Sequence, residues 1–294
     1  MSKASVLFDA PGPRARVRNR AISACTVLVV AFMIWVLYSR LDTKGQLDPE
    51  KWTPFLSANL WKTYVLPGVQ GTLTAAVWSI ALALAAGVIL GMGRLSTISA
   101  IRWVCAVVVE FFRAVPVLIM MIFAYFVYAL YDVVPARLLA LAGVVTGLTL
   151  YNGAVIAEIV RAGVHALPRG QSEAAAALGM RWNQTMRLVL LPQAATAMLP
   201  VLVSQLVVVL KDTAIGYQIT FVEMVRQGTM VGAQYSNFVP ALIVIATLII
   251  IVNMSLSRLA FWIEQRLRRS RRTPLEAATI EQEGAPGAAV VQAH

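Results

Sequence analysis

Long stretches of mostly apolar residues restrict what this chain can fold into. They lie at about residues 22–38, 68–93, 117–130, 138–159, 195–210 and 239–259. Such stretches are typical of helices that cross a membrane, which need about 20 mainly apolar residues. Only 13% of the 294 residues are charged, against about 25% in soluble domains. The sequence therefore predicts an all-α membrane protein with about six transmembrane helices.

The positive charge of the chain is confined to segments beside these stretches. A net charge of +11 could indicate a nucleic-acid-binding protein, but the basic residues cluster at the N-terminus, at 94–102, at 161–187 and at the C-terminus. With six crossings these segments share one side of the membrane, which the positive-inside rule makes cytoplasmic. We therefore expect cytoplasmic termini, contact with membrane lipid and no nucleic-acid partner.

The two ends of the chain differ in composition from its centre. Residues 1–20 are predicted to form a flexible cytoplasmic N-terminus, and residues 21–39 a retained transmembrane helix. A cleaved signal peptide is the alternative for 21–39, but the stretch is long and no small-x-small cleavage site follows Tyr38. Residues 40–65 are expected to be an external loop, and 266–294 a disordered cytoplasmic tail.

Prolines and glycines mark breaks and close contacts in the apolar pattern. Pro116 should interrupt a helix, which predicts a short elbow helix before the third span. Pro192 is expected to stop or restart the chain at the membrane edge. Gly87 and Gly91, four residues apart, predict close approach of another helix. The more polar residues 214–238 are expected to be external or partly re-entrant, packed on protein.

The polar stretch at residues 168–194 lies between two apolar blocks. Ser172 is expected to cap a helix by accepting a backbone N–H, and the following alanines favour the helix. Gly179 permits the positive φ that ends a helix. An amphipathic helix is predicted over residues 181–190. Two interpretations fit this helix–glycine–helix pattern: a connector on the membrane surface, or a docking element for a partner.

Motifs in and around this stretch occur in a definite order along the chain. The stretch itself contains Gln171, Glu173, Ala174, Ala175, Gly179, Leu191 and Pro192. Its flanks contain the segments 110–116 (Glu-Phe-Phe-Arg-Ala-Val-Pro), 158–161 (Glu-Ile-Val-Arg) and 211–213 (Lys-Asp-Thr). Together they resemble permease subunits of bacterial ATP-binding-cassette (ABC) importers, in the polar amino-acid branch that handles histidine, glutamate and glutamine. In this resemblance the first set forms the EAA loop, which docks on an ATPase.

The resemblance implies an architecture and a set of partners. Residues 66–265 would form the five-helix core of a type I importer permease, with residues 168–194 as its coupling loop, and residues 21–39 would be an extra helix. The implied partners are ABC ATPase subunits, an extracytoplasmic solute-binding protein and a second permease, expected to be a related but unlike chain. The implied location is the bacterial inner membrane.

The resemblance also implies transport of an amino acid, glutamate or another polar one, without catalysis by this chain. The sequence contains no GxxxxGK[ST] phosphate-binding loop, so ATP hydrolysis is assigned to a separate subunit. No catalytic residue or cofactor is expected. No metal site is expected either, because the two histidines, His165 beside the loop and His294 at the terminus, do not form a cluster with aspartate or glutamate. The alternatives are an importer of another small solute and a stand-alone ion-coupled carrier, although the internal repeats typical of such carriers are not visible.

Polar residues inside spans are candidates for the transport pathway, because burying them in lipid is costly. The candidate pathway or substrate residues are Asn152, Gln205, Lys211 and Asp212. Asn152 and Gln205 would fit equally as interhelical hydrogen-bonding residues, and Lys211 and Asp212 as residues at a helix end. Glu158 and Arg161 are predicted to form a structural ion pair, since they lie three residues apart on one helix.

Overall fold

The computed structural model describes residues 12–269, and this part of the chain is built of helices without any strand. The helices are α1 Pro13–Thr43, α2 Pro49–Trp52, α3 Ala58–Leu60, α4 Leu66–Arg94, α5 Ser99–Ala114, α6 Val117–Leu130, α7 Leu139–His165, α8 Arg169–Ala177, α9 Trp182–Gln184, α10 Leu191–Asp212, α11 Met224–Gln234 and α12 Phe238–Arg269. The disordered tail predicted at 266–294 falls mostly on residues 270–294, outside the described residues. Residues 1–11 of the predicted flexible N-terminus also lie outside them, whereas residues 13–20 form the beginning of α1, so the prediction is wrong for that part.

Helices long and apolar enough to cross a membrane account for most of the described chain. There are five of them among residues 12–269: Arg14–Thr43, Ala58–Arg94, Ala136–His165, Trp182–Ile219 and Phe238–Arg266. The pair α5 and α6, bent by 101°, makes a sixth when it is counted as one span. The prediction of an all-α membrane protein with about six spans is confirmed.

The bend between α5 and α6 has a local cause. Pro116 precedes α6 with φ −57° and ψ 134°, an extended conformation that ends one helix before the next begins. A proline at this position has no N–H to continue the helical hydrogen bonds. The predicted elbow helix before the third span is therefore confirmed.

Helices α4 and α7 form the most extensive helix–helix contact within residues 12–269. A Cβ atom added to Gly87 would lie 2.5 Å from Cγ2 of Ile156, and one added to Gly91 would lie 2.8 Å from Cβ of Val160. Either distance is below a real van der Waals contact. The missing side chains thus let the two backbones approach, as the glycine spacing predicted.

The end of the bundle where α4 begins is closed by α2 and α11. Nζ of Lys51 donates to the carbonyl oxygen of Ser236 at 3.1 Å, and Nδ2 of Asn237 donates to the carbonyl oxygen of Lys51 at 2.8 Å. On α4, a Cβ atom on Gly71 would overlap the carbonyl oxygen of Val222. Residues 40–65 and 214–238 therefore lie at one end of the molecule. The C-terminal end of α4 lies at the other end.

Helix α1 lies apart from this bundle. None of its most apolar window is buried within the structure. Its large apolar side chains, such as Phe32 and Trp35, are more than half exposed. In a bilayer this surface is available to lipid or to another membrane helix.

The capping role predicted for Ser172 is wrong. Helix α8 begins three residues earlier, at Arg169, with Pro168 in the cap position. Ser172 is thus inside the first turn, where its hydroxyl donates to the carbonyl oxygen of Arg169 at 2.8 Å. The extended conformation of Pro168 starts the helix at this point, so Ser172 lies inside the helix and its hydroxyl bonds to a backbone carbonyl instead of accepting a backbone N–H.

The break predicted at Pro192 is also wrong. The helix starting at Trp182 continues without interruption into α10, through a π-helical segment at Thr185–Leu190. Pro192 lies in the first turn of α10, directly after this segment. The wider π-helical turn leaves room for the ring of Pro192 and does not require its N–H as a donor. The helix therefore continues into the span.

Candidate functional site

Helix α8 and the turn after it form a compact projection at the end of the bundle where α4 ends. Gly179 has φ 73°, and the N–H of Gly179 donates to the carbonyl oxygen of Ala176. The N–H of Met180 donates to the carbonyl oxygen of Ala175. These two bonds form a Schellman motif, which requires a residue with positive φ and so favours glycine. The prediction that Gly179 ends a helix with a positive φ is confirmed.

The predicted EAA-loop residues that belong to α8 divide between an outer and an inner face of this helix. Gln171, Glu173 and Ala174 are exposed. Ala175 is 4% exposed and packs inward. The outer face can therefore contact another protein without any change in the contacts that hold the helix.

The projection is attached to the membrane helices by one polar and several apolar contacts. Nε2 of Gln193 donates to Oε1 of Gln171 at 3.1 Å, which connects α8 to the first turn of α10. Beneath it, Met186 and Leu190 are buried in an apolar cluster with Val164 of α7. Gln193 was not predicted as a contact residue, although it directly follows the Leu191-Pro192 pair. Helix α8 is thus linked to α10 through Gln193 and to α7 through the Thr185–Leu190 segment on which it packs.

Five charged residues form an ionic cluster near the same end. Glu158 accepts hydrogen bonds from Nη1 of Arg94 at 2.7 Å and from Nε of Arg161 at 3.1 Å. Nη2 of Arg94 lies 3.1 Å from Oε1 of Glu110, and Nη1 of Arg113 lies 3.9 Å from both carboxylates. The predicted ion pair of Glu158 and Arg161 is confirmed. The cluster joins α4, α5 and α7.

Arg94, which bridges the two carboxylates of this cluster, was not predicted as one of its members. Its side chain is only 11% exposed, and a charge at that depth near a membrane span requires a partner. Its position at the end of an apolar stretch was a usable signal that a partner exists. The identity of that partner depends on the tertiary packing of α4 against α7.

The two amide candidates for the pathway contact each other. Asn152 is fully buried, and its Oδ1 accepts a hydrogen bond from Nε2 of Gln205 at 2.7 Å. Its Nδ2 donates to the carbonyl oxygen of Leu148 at 2.9 Å. The pair therefore connects α7 to α10 by an interhelical hydrogen bond. This geometry favours the packing interpretation over direct contact with a substrate.

Lys211 and Asp212 lie in the last turn of α10, about 9 Å along the helix from Gln205. Lys211 is exposed, and Asp212 is half-buried. A small cavity beside Lys211 is also lined by Glu223 and Asn253. The structure thus separates the four polar candidates into a buried amide pair and a charged pair near the end where α4 begins.

Glu223 is a functional candidate that the sequence analysis did not select. Its carboxylate accepts the backbone N–H groups of Val225 at 2.8 Å and of Arg226 at 2.6 Å, and so caps α11. The side chain is fully buried. Burial raises the pKa of Glu223 to about 7, while the two backbone N–H groups oppose that rise. Glu223 itself lines the small cavity beside Lys211, and no pattern in the sequence indicated this position.

Within residues 12–269, no group of three or more His, Cys, Asp or Glu side chains could hold a metal ion. The described residues thus offer polar contacts, ion pairs and an exposed short helix. A bundle of five or six apolar helices with such a projection at one end defines a helical integral membrane protein.

The family of this protein follows from comparison with known proteins. Residues 83–269 match the family described as binding-protein-dependent transport system inner membrane component. The chain belongs to this family, the permeases of ABC importers.

The most similar relatives carry amino-acid permease names. The glutamate transport system permease protein GluD of Corynebacterium glutamicum is 54% identical, with 79% of this chain and 85% of that protein covered. The glutamate/aspartate import permease protein GltK of Escherichia coli is 28% identical, with 69% and 93% covered. The resemblance to amino-acid ABC permeases is therefore confirmed.

Solved structures agree on the fold. The crystal structure of an amino acid ABC transporter with histidines has a TM-score of 0.65 and 29% identity, with 72% of this chain and 98% of that chain covered. The MetNI methionine ABC transporter has a TM-score of 0.53 at 20% identity, which shows a shared fold.

Proposed function

We propose that this chain is the permease subunit of an ATP-driven importer for glutamate or another polar amino acid. The main support is the 54% identity to a glutamate transport system permease over most of both chains. The chain would form the translocation pathway together with a second permease, a related but unlike chain. ATP hydrolysis belongs to a separate ATPase subunit.

The exposed face of α8 is the surface that docks on the ATPase. The observation that carries this assignment is the combination of exposed Gln171, Glu173 and Ala174 with a buried Ala175 and the Gln171–Gln193 hydrogen bond. A short helix braced in this way moves as a rigid body with its partner. Closure of the ATPase would then be transmitted to α7 and α10 and would switch the pathway between outward-open and inward-open states.

The orientation of the chain follows from its basic residues. The turn at 94–102 and the loop at 168–194 lie at one end of the bundle and carry arginines that favour the cytoplasm. Both termini would lie on that side of the bacterial inner membrane. Residues 40–65 and 214–238 would face outward, where an extracytoplasmic solute-binding protein delivers its ligand.

We assign the permease core to residues 66–265 and an additional helix to residues 21–39. In this core Asn152 and Gln205 hold α7 to α10. Lys211 and Asp212 are the better candidates for contact with a charged amino acid, because no hydrogen bond between side chains occupies them within residues 12–269.

The docking assignment is tested in proteoliposomes that contain this permease, its partner permease and its ATPase, with the solute-binding protein added outside. Glu173→Lys reverses a charge on the exposed face, and Gly179→Leu removes the residue type that the φ of 73° requires. Both variants should lose substrate-stimulated ATP hydrolysis and uptake while inserting normally. Asp132→Lys is the control, because it makes the same charge change at an exposed position at the opposite end of the bundle, outside residues 40–65 and 214–238.

Normal uptake by both loop variants would refute docking through α8. The solute is identified separately, by measuring which amino acid binds to the solute-binding protein. Binding of a solute other than an amino acid would refute the proposed substrate class and leave the docking result unaffected.

A further inference from the structure

A cavity of about 480 Å³ opens beside the coupling loop. Its wall is formed by the turn between α4 and α5, by the end of α7 and by the first turn of α8. The cavity thus lies where the core meets the helix that would dock on the ATPase.

The charged side chains on the wall of the cavity are all basic. Arg94, Arg102, His165 and Arg169 line it, and no aspartate or glutamate does. Arg94 shares its charge with Glu158 in the ionic cluster. The other basic groups have no carboxylate partner, so the cavity has an excess of positive charge.

Two of these arginines are available to a ligand. Arg102 donates to the carbonyl oxygen of Ser96 at 2.9 Å and to Oγ of Ser99 at 3.1 Å, both neutral acceptors. The side chains of Arg169 and His165 have no hydrogen-bond or ion-pair partner within residues 12–269. Guanidinium groups bind phosphate oxygens in pairs, which makes arginine the preferred residue for this anion.

The remaining wall provides groups that suit a phosphate ester attached to an apolar chain. The hydroxyl groups of Thr97 and Ser172 lie on the cavity wall, and the first turn of α8 has no side-chain cap. Uncapped N–H groups at the start of a helix attract anions. The apolar residues Val164 and Leu190 also line the cavity.

We propose that this cavity binds a phosphate group, supplied by the headgroup of an anionic phospholipid in the surrounding membrane. Basic pockets between transmembrane helices at the cytoplasmic surface bind headgroups of this kind. The bound phosphate would connect the α4–α5 turn to the first turn of α8. It would thereby fix the position of the coupling helix relative to the core. The binding rests on the cavity alone, and its effect on coupling rests on the proposed function.

The test measures binding of phosphatidylglycerol to the full-length chain in phosphatidylcholine nanodiscs and by native mass spectrometry. Arg102→Gln and Arg169→Gln should each lower the affinity about fivefold, and the double variant more, as expected for basic residues at an anionic surface. Arg137→Gln is the control, because this arginine is exposed and lies outside the cavity. Thr97→Asp should lower the affinity as well, since it adds a negative charge to the wall.

Affinities of the two arginine variants equal to that of Arg137→Gln would overturn the proposal. Arg169→Gln provides the decisive comparison if Arg102→Gln destabilises the α4–α5 turn, because the Arg169 side chain makes no contact that folding requires.

A second set of measurements distinguishes the sources of the phosphate. Inorganic phosphate is titrated in nanodiscs of phosphatidylcholine alone. Binding of inorganic phosphate without binding of phosphatidylglycerol would overturn the lipid source. Arginine-dependent lipid binding in a complex without coupled ATP hydrolysis would support the cavity and count against the proposed function only.

Discussion

The ionic cluster offers the sharpest test of how this bundle is held together. Glu158→Gln keeps the size and one acceptor oxygen of the side chain but removes the charge that faces three arginines. Glu110→Gln is the same chemical change at the other carboxylate of the cluster. Because the two variants differ in location and not in chemistry, their comparison isolates the effect of burial.

The structure sets the expected size of each effect. The Glu158 side chain is 23% exposed and accepts hydrogen bonds from Arg94 and Arg161, whereas the Glu110 side chain is 60% exposed. Hydrogen bonds to charged groups contribute about 1.5 to 3 kcal/mol each, and glutamine retains part of one. We expect Glu158→Gln to lower the free energy of unfolding by about 2 to 3 kcal/mol. Exposed ion pairs contribute about 1 kcal/mol or less, which is the limit for Glu110→Gln.

The measurement is reversible unfolding in mixed micelles, titrated with sodium dodecyl sulfate and followed by circular dichroism. Arg94→Gln is added to complete a double-mutant cycle with Glu158→Gln. The double variant should lose less stability than the sum of the single variants, because removing Glu158 leaves the 11%-exposed Arg94 without its best partner. Equal losses for Glu158→Gln and Glu110→Gln, or strict additivity with Arg94→Gln, would refute the assigned role of burial.

Three further predictions concern the bundle and its outer end. Gly87→Leu should prevent folding or assembly, since any Cβ would clash with Ile156; normal yield of folded protein would contradict the close α4–α7 contact. For the interhelical amide bond, a double-mutant cycle of Asn152→Ala and Gln205→Ala should give a coupling energy of about 0.5 to 2 kcal/mol. A coupling energy of zero would contradict the packing interpretation and leave both residues as candidates for the transport pathway. Burial raises the pKa of Glu223 from 4.5 to about 7 in the folded protein. Folding therefore favours the protonated carboxyl group over the carboxylate. Its contribution to stability should be complete below about pH 4.5 and lost as the pH rises through 7; a Glu223→Gln variant with unchanged pH dependence of unfolding would contradict this.

The fold was predictable because a bilayer leaves few choices. Backbone groups in lipid must bond within their own segment, so each apolar stretch had to be helical. The elbow at Pro116 and the turn at Gly179 were predictable for a similar reason, since one residue determines the local geometry. The same holds for Glu158 and Arg161, which lie on adjacent turns of one helix.

Contacts between distant segments were not predictable in this way. Arg94 and Glu158 are 64 positions apart, and Gln171 and Gln193 are 22 apart. Each pair meets only because helices pack at a particular depth and rotation. The error at Pro192 has a related origin, because nothing in the sequence of the Thr185–Leu190 segment distinguishes a π-helix from an ordinary helix.

The way in which α8 contacts the core has a mechanical consequence. Helix α8 packs on the Thr185–Leu190 segment, whose Met186 and Leu190 lie in a buried apolar cluster with Val164 of α7. Gln171 of α8 also accepts a hydrogen bond from Gln193 of α10. Movement of α8 should therefore reach α7 through the Thr185–Leu190 segment and α10 through the Gln171–Gln193 hydrogen bond.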